Sequence, residues 1–314
     1  MNKWSNESIV SFFWLLFASV SFPSMDEDLS GPMPSPPLTR PWSHRFVQAG
    51  PHRVFYLEQG AGDPIVCVHG LGGWAENFAD VIPELSAKGR VLAFDLPGFG
   101  RSDRPAAEYT LDYLVDWIRA FTDALGLGRI TLVGNSLGGA LAIEFAHRFP
   151  ERVSRLVLAA SAGFGRDYPV IYRLMTVPLV RDALLLNARG MVRTEWEQLL
   201  HRKELVTDAF VEGVYQFRLR FPQASAKKNI LRNSMSLLGP TVDLYDRLPH
   251  LKCPTLIVWG REDRILPVTM GETAHRAVPG SELVVFDGCG HLPMVEKPEE
   301  FVRVVGGFLD HHQG

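Results

Sequence analysis

The sequence predicts an α/β protein: a mostly parallel sheet flanked by helices, with a helical insertion. Two observations predict the sheet. Short apolar runs closed by turn residues alternate along the chain with longer stretches of helical periodicity, and the connections between them are short. A third observation predicts the insertion, since one long block interrupts this alternation.

In chain order, residues 1–45 stand apart. Ile9 to Phe22 is an almost unbroken apolar run preceded by Lys3, and Gly31 to Pro41 is Pro-rich and reads as a linker. The run is short for a bilayer span, which needs about 20 apolar residues. It has the outline of a secretory signal, which would send the protein to the periplasm or outside the cell. It equally suits an over-extended start, with Met25 or Met33 as first residue and a cytoplasmic protein. A membrane-tethering anchor is the third reading, and this leader is the one route to a membrane in the sequence.

The core is expected over residues 46–163 and 249–314. Arg53 to Glu58 reads as a half-exposed strand ending at Gly60. Pro64–His69 and Arg90–Asp95 are continuous apolar runs, the pattern of strands buried on both faces. Ile130–Val133, Val153–Ala160, Thr255–Trp259 and Glu282–Phe286 repeat it. Helical patterns fall between them, over Trp74–Lys88, Leu111–Leu125, Ser136–Phe149, Val268–Ala277 and Glu299–Leu309. Residues 164–248 contain no convincing strand and read as several short apolar helices. Lying beside the sheet, they could be a lid and substrate wall, or additional core.

Composition narrows the function. The 314 residues are 46% hydrophobic with a formal net charge of −3. Basic and acidic residues are interleaved, so the basic face of a nucleic-acid binder is absent. Cys67, Cys253 and Cys289 are too far apart in sequence to pair as metal ligands, and their odd number does not suggest a disulfide framework.

The chemistry is concentrated at strand ends. Gly134-Asn-Ser-Leu-Gly138 follows a predicted strand and opens a predicted helix. Such a turn can hold a serine hydroxyl up at the sheet rim, and the small residues around it permit the tight bend. Ser136 is therefore the candidate nucleophile. A serine needs a base, and His291 lies in the glycine-rich loop after the last strand. The acid should follow another strand. Asp263 in Gly260-Arg-Glu-Asp263 fits, while the side chain of Glu262 should point the other way. The three candidates stand in the chain order Ser136, Asp263, His291. His69-Gly-Leu-Gly-Gly73 follows another strand, and the amides of Leu71 and Leu137 are assigned as an oxyanion hole. His69 is expected to brace that loop.

These segments, with Phe94-Asp-Leu-Pro-Gly-Phe-Gly-Arg-Ser-Asp103, resemble the α/β-hydrolase fold superfamily. The resemblance spans about residues 46–310, and is closest to lid-bearing esterases, lipases and meta-cleavage-product hydrolases. It implies a structural role for Asp95. Dehalogenases and epoxide hydrolases share the Asp95–Asp103 segment but carry an aspartate where Ser136 stands. Carbon–carbon hydrolases of ring-cleavage products often share the Gly-Asn-Ser elbow. They commonly have a tryptophan after the histidine, where this chain has Leu292-Pro293, and a glycine–proline oxyanion loop that His69–Gly73 lacks.

The expected activity is cleavage of carboxylic esters of apolar character through an acyl-enzyme, without metal or organic cofactor. Carbon–carbon cleavage is the second reading and a non-catalytic binding member the third. The expected partner is a small-molecule ester, not a nucleic acid, and the sequence leaves the oligomeric state open. Trp74, Asn135, Leu174 and Met175 are the candidate substrate-binding residues, with Tyr172 beside them and core packing as the other reading of Trp74.

Overall fold

A hairpin opens the sheet in the computed structural model, which describes residues 43–165, 168, 173–178, 180–181 and 187–312. Residues 1–42 of the predicted leader and linker, and Tyr172, lie outside the described residues. Strand β1 (Ser43–Ala49) pairs antiparallel with β2 (His52–Gln59). Sequence periodicity had assigned no strand to β1. Its neighbour β2 is also more buried than a half-exposed strand. Val54, Phe55, Tyr56 and Leu57 are all buried, because β2 lies inside the sheet, with a strand on either side, and is covered on both faces.

The remaining sheet strands are β3 (Pro64–Val68), β4 (Arg90–Phe94), β5 (Ile130–Asn135), β6 (Val153–Ala159), β9 (Thr255–Gly260) and β10 (Glu282–Phe286). The spatial order is β1-β2-β4-β3-β5-β6-β9-β10, with every pairing from β4 to β10 parallel. Three helices of the core match the sequence reading within a residue: α1 (Leu111–Ala124), α2 (Leu137–Arg148) and the later Val268–Ala277. The stretch predicted as one helix over 74–88 is instead a 3-10 turn at Ala75–Phe78 and a single helical turn at Ile82–Leu85, the latter opened by Pro83.

Period-two alternation divides the strand side chains between two cores. One face carries Val66, Val68, Leu92, Phe94, Leu132 and Leu158 and packs on α1 and α2. The other carries Ile65, Cys67, Val91, Ala93, Val133 and Val258.

Between β6 and β9 the described residues form α3 (Arg189–Leu199), α4 (Asp208–Arg220) and α5 (Ala224–Ser234), then a two-residue antiparallel ladder, β7 (Met235–Ser236) and β8 (Gly239–Pro240). Two paired residues leave no periodicity, so this ladder was not visible in the sequence. Val192 and Trp196 of α3 and Val214 and Phe217 of α4 join the second core. The last helices are α6 (Val268–Ala277) and α7 (Pro298–His311).

Candidate active site

The strand order reverses at β3, which has β4 on one side and β5 on the other. In an open parallel sheet the crevice beyond the carboxyl ends of strands at such a reversal is where ligands bind. Val68 and Gly134 form the last pair between β3 and β5. The loop His69–Gly73 and the turn at Ser136 therefore leave the sheet side by side.

Ser136 has φ 54° and ψ −117°, a conformation that costs a residue with a Cβ of order 1–3 kcal/mol. Four hydrogen bonds hold it. Its N–H donates to Ala159 O at 3.1 Å, and its carbonyl accepts from Gly139 N (2.9 Å), Ala140 N (3.2 Å) and Ala162 N (2.9 Å). The turn closes only because its flanks have no side chains. A Cβ at Gly134 would lie 2.3 Å from Gly138 O, and one at Gly138 would lie 2.2 Å from Val68 O. Ser136 remains partly accessible at the sheet rim.

The loop after β3 lies against this elbow, since a Cβ at Gly70 would come within 2.9 Å of Ser136 Cβ. Gly73 N–H donates to Gly70 O at 3.0 Å, closing a turn whose third residue, Gly72, has φ 80°, as a type II turn requires. Leu71 is at the tip of that turn. Leu137 is the first residue of α2, where an N–H has no intrahelical acceptor.

His69 braces the loop from within. It is fully buried, its Nε2 accepts from Leu96 N–H at 3.0 Å, and its Nδ1 therefore carries the proton and donates to Gly70 O at 2.8 Å. Burial lowers its pKa to about 4, so it stays neutral. Asp95 is likewise structural, accepting from Ala75 N and Arg101 N at 2.7 Å each. Burial, and then the nearby Glu76, raise its pKa to about 7.

Asp263 and His291 come together across two loops. His291 Nδ1 is 2.7 Å from Asp263 Oδ2, with both residues buried. Asp263 Oδ1 accepts from Ile265 N (2.8 Å) and Leu266 N (2.9 Å), which fixes the carboxylate plane. Glu262 faces away, as expected, and accepts from Cys289 N at 3.0 Å. His291 N–H donates to Leu199 O, at the end of α3, at 2.7 Å.

Of the substrate-binding candidates, Asn135 is buried, and its Nδ2 donates to Ala159 O (3.0 Å) and His291 O (3.2 Å). Its amide donors thus join the elbow to the histidine loop instead of facing a ligand. Trp74 is buried against Phe217 of α4 and Trp196 of α3, with ring centroids 4.9 and 6.0 Å away. Leu174 and Met175 are half-buried in a turn closed by Thr176 N–H to Arg173 O at 3.1 Å.

Two features of the site were not visible in the sequence. Glu296, five residues after His291, is buried and bonded to backbone N–H groups. Arg218 and Lys227 both bind Glu195, and Lys227 Nζ would be 2.6 Å from a Cβ at Gly72. In the sequence these look like ordinary surface charges, and only tertiary packing brings them together and buries Glu296, Arg218 and Lys227. Among the described residues no three His, Cys, Asp or Glu side chains are grouped to hold a metal ion.

A family model for the alpha/beta hydrolase fold matches residues 63–298. The chain is 34% identical over 281 residues to the 2-hydroxy-6-oxo-2,4-heptadienoate hydrolase of Pseudomonas putida, covering 84% of this chain and 95% of that protein. Its structure is similar to a meta-cleavage product hydrolase from Pseudomonas fluorescens, with a TM-score of 0.76 and 29% identity over 85% of this chain and 97% of the other. It is also similar to a thermophilic esterase from Thermogutta terrifontis, with a TM-score of 0.71 and 25% identity over 88% and 100% of the two chains. With the strand order, the elbow and the family match in agreement, the chain belongs to the α/β-hydrolase fold family and is a hydrolase of that fold.

Proposed function

We propose that the chain is a serine hydrolase of carboxylic esters with apolar groups, in which Ser136 is the nucleophile, His291 the general base and Asp263 the acid that orients it. The observation that carries this reading is the buried 2.7 Å contact of His291 Nδ1 with Asp263, in a loop that Asn135 ties to the Ser136 elbow. With Nδ1–H donated to Asp263, Nε2 is left as the acceptor for the serine proton. Ser136 Oγ attacks the ester carbonyl, and the oxyanion is held by the N–H groups of Leu71 and Leu137. Each such donor contributes about 2.7–4 kcal/mol to transition-state stabilisation. His291 then protonates the departing alcohol and, in a second half-reaction, activates water to release the acid. The inserted helices act as lid and substrate wall, and Leu174 and Met175 set the accepted chain length.

Carbon–carbon cleavage is the second reading. It is favoured by the relatives that act on hydroxy-oxo-dienoates. A substrate bearing a carboxylate would also find Lys227 beside the Gly72 loop, where it is bonded to Glu195. Ester cleavage is supported by Leu292 and Pro293, which follow the histidine where carbon–carbon hydrolases commonly carry a tryptophan. The test is the ratio of kcat/KM for matched aromatic substrates, an ester against a vinylogous dienone acid. An ester-favouring ratio is expected. A ratio favouring the dienone would replace the first reading with the second and leave the triad in place.

A further inference from the structure

His291 is fixed through its main chain as well as its ring. Glu296 ends the short helical turn Pro293–Glu296 and is buried. Its Oε1 accepts from Gly290 N–H at 2.7 Å, one residue before the histidine. Its Oε2 accepts from His201 N–H at 2.7 Å and Arg202 N–H at 2.9 Å, just beyond the end of α3. Arg202 also donates to the Glu296 carbonyl at 3.1 Å. One carboxylate therefore holds three backbone donors from two separate segments, and the 2.7 Å bond from His291 N–H to Leu199 O runs in parallel. The segments are so close that a Cβ at Gly290 would sit 2.6 Å from Leu199 O and 2.8 Å from His201 N.

A buried carboxylate is costly unless its oxygens are bonded, and bonds from N–H groups to an ionised oxygen are among the stronger ones available. The arrangement is specific to a carboxylate. A side-chain amide offers one acceptor oxygen, so it could serve Gly290 or the His201–Arg202 pair but not both, and its NH2 would face the abandoned donors.

We propose that Glu296 is a positioning residue for the reaction at Ser136, holding the main chain of His291 in register by tying it to the end of α3 in the inserted segment. This rests on the reading of His291 as the base. It makes the seating of the inserted helices a condition for a competent catalytic histidine.

The test compares Glu296→Gln with Glu299→Gln, a change at an exposed glutamate on the neighbouring helix. In Glu296→Gln, kcat on a p-nitrophenyl ester should fall about 10–100-fold, the scale of a small misplacement of a catalytic group, with KM changed less than about two-fold. The rate of Ser136 labelling by a fluorophosphonate should fall in parallel. The Nδ1–H proton resonance of His291, which needs no turnover, should shift or broaden. Glu299→Gln should leave all three unchanged. If Glu296→Gln does not fold, Glu296→Asp keeps the charge, shortens the reach by one methylene and carries the same expectations. A variant that melts earlier but retains wild-type kcat per active site and an unmoved His291 resonance would overturn the proposal, as would equal losses in Glu299→Gln. Turnover surviving in Ser136→Ala would overturn the active-site reading and this proposal with it. Loss there, beside a fully active Glu296→Gln, would overturn the proposal alone.

Discussion

Asp263 shows how much one side chain can decide. Its Oδ1 takes two backbone donors and its Oδ2 faces His291 Nδ1. In Asp263→Asn the remaining oxygen would stay with the Ile265 and Leu266 N–H groups, and the new NH2 would point at the ring. The imidazole would then accept at Nδ1 and carry its proton on Nε2, where it cannot receive one from serine. The expected fall in kcat is about 10⁴-fold with the fold retained. Glu262→Gln keeps an oxygen for Cys289 N–H and should change kcat little. Turnover measured on both variants checks the assignment, and reversed effects would move the acid by one residue. At this scale Ser136, Asp263 and His291 were legible as candidates because each follows a strand within a short glycine-containing turn. Asn135 was legible as part of the elbow motif but not as a brace, because its partner carbonyl at His291 lies 156 residues away.

Among the elements, the inserted block was read as short helices, and the structure adds how three of them are joined. Glu195 on α3 binds Arg218 on α4, with oxygen–nitrogen distances of 2.6 and 3.1 Å, and Lys227 on α5 at 3.2 Å, so one ionic cluster ties the three helices together. Burial alone would raise the Glu195 pKa, but Arg218 and Lys227 outweigh it and bring it down to about 2. The unfolded chain takes up this proton near the ordinary 4.5 and the folded chain only near 2. The ionised cluster therefore supports the fold above pH 4.5, and that support is lost as pH falls from 4.5 toward 2. Melting temperature followed across that interval should drop more steeply in the wild type than in Glu195→Gln. Parallel curves would mean that Glu195 is not ionised in its contacts. Helical periodicity could place helices here, but it could not pair them, because charged residues on separate helices carry no mark of their partners.

Across the whole molecule, the sheet makes the site. β1 is one of the two edge strands, paired among the described residues with β2 alone, and it begins at Ser43. A chain starting at Met33 retains all eight strands of the main sheet. It should match the full chain in ester turnover and melting temperature, and insolubility or lost activity would show that the leader packs on the domain.

Alone, the sequence determined the fold class, the boundaries of most core elements and the three candidate catalytic positions. Local chemistry writes all of these: strand periodicity, turn glycines, and polar residues at strand ends. The spatial order of the strands was decided by the tertiary structure, and so was the side-by-side exit of the chain after β3 and β5. Tertiary structure also turned Glu296 and the Glu195 cluster from apparent surface charges into ties between separate segments, with Glu296, Arg218 and Lys227 buried. A carboxylate has the same identity in the chain whether water or three backbone N–H groups surround it. Its role is set by which distant segments fold against it.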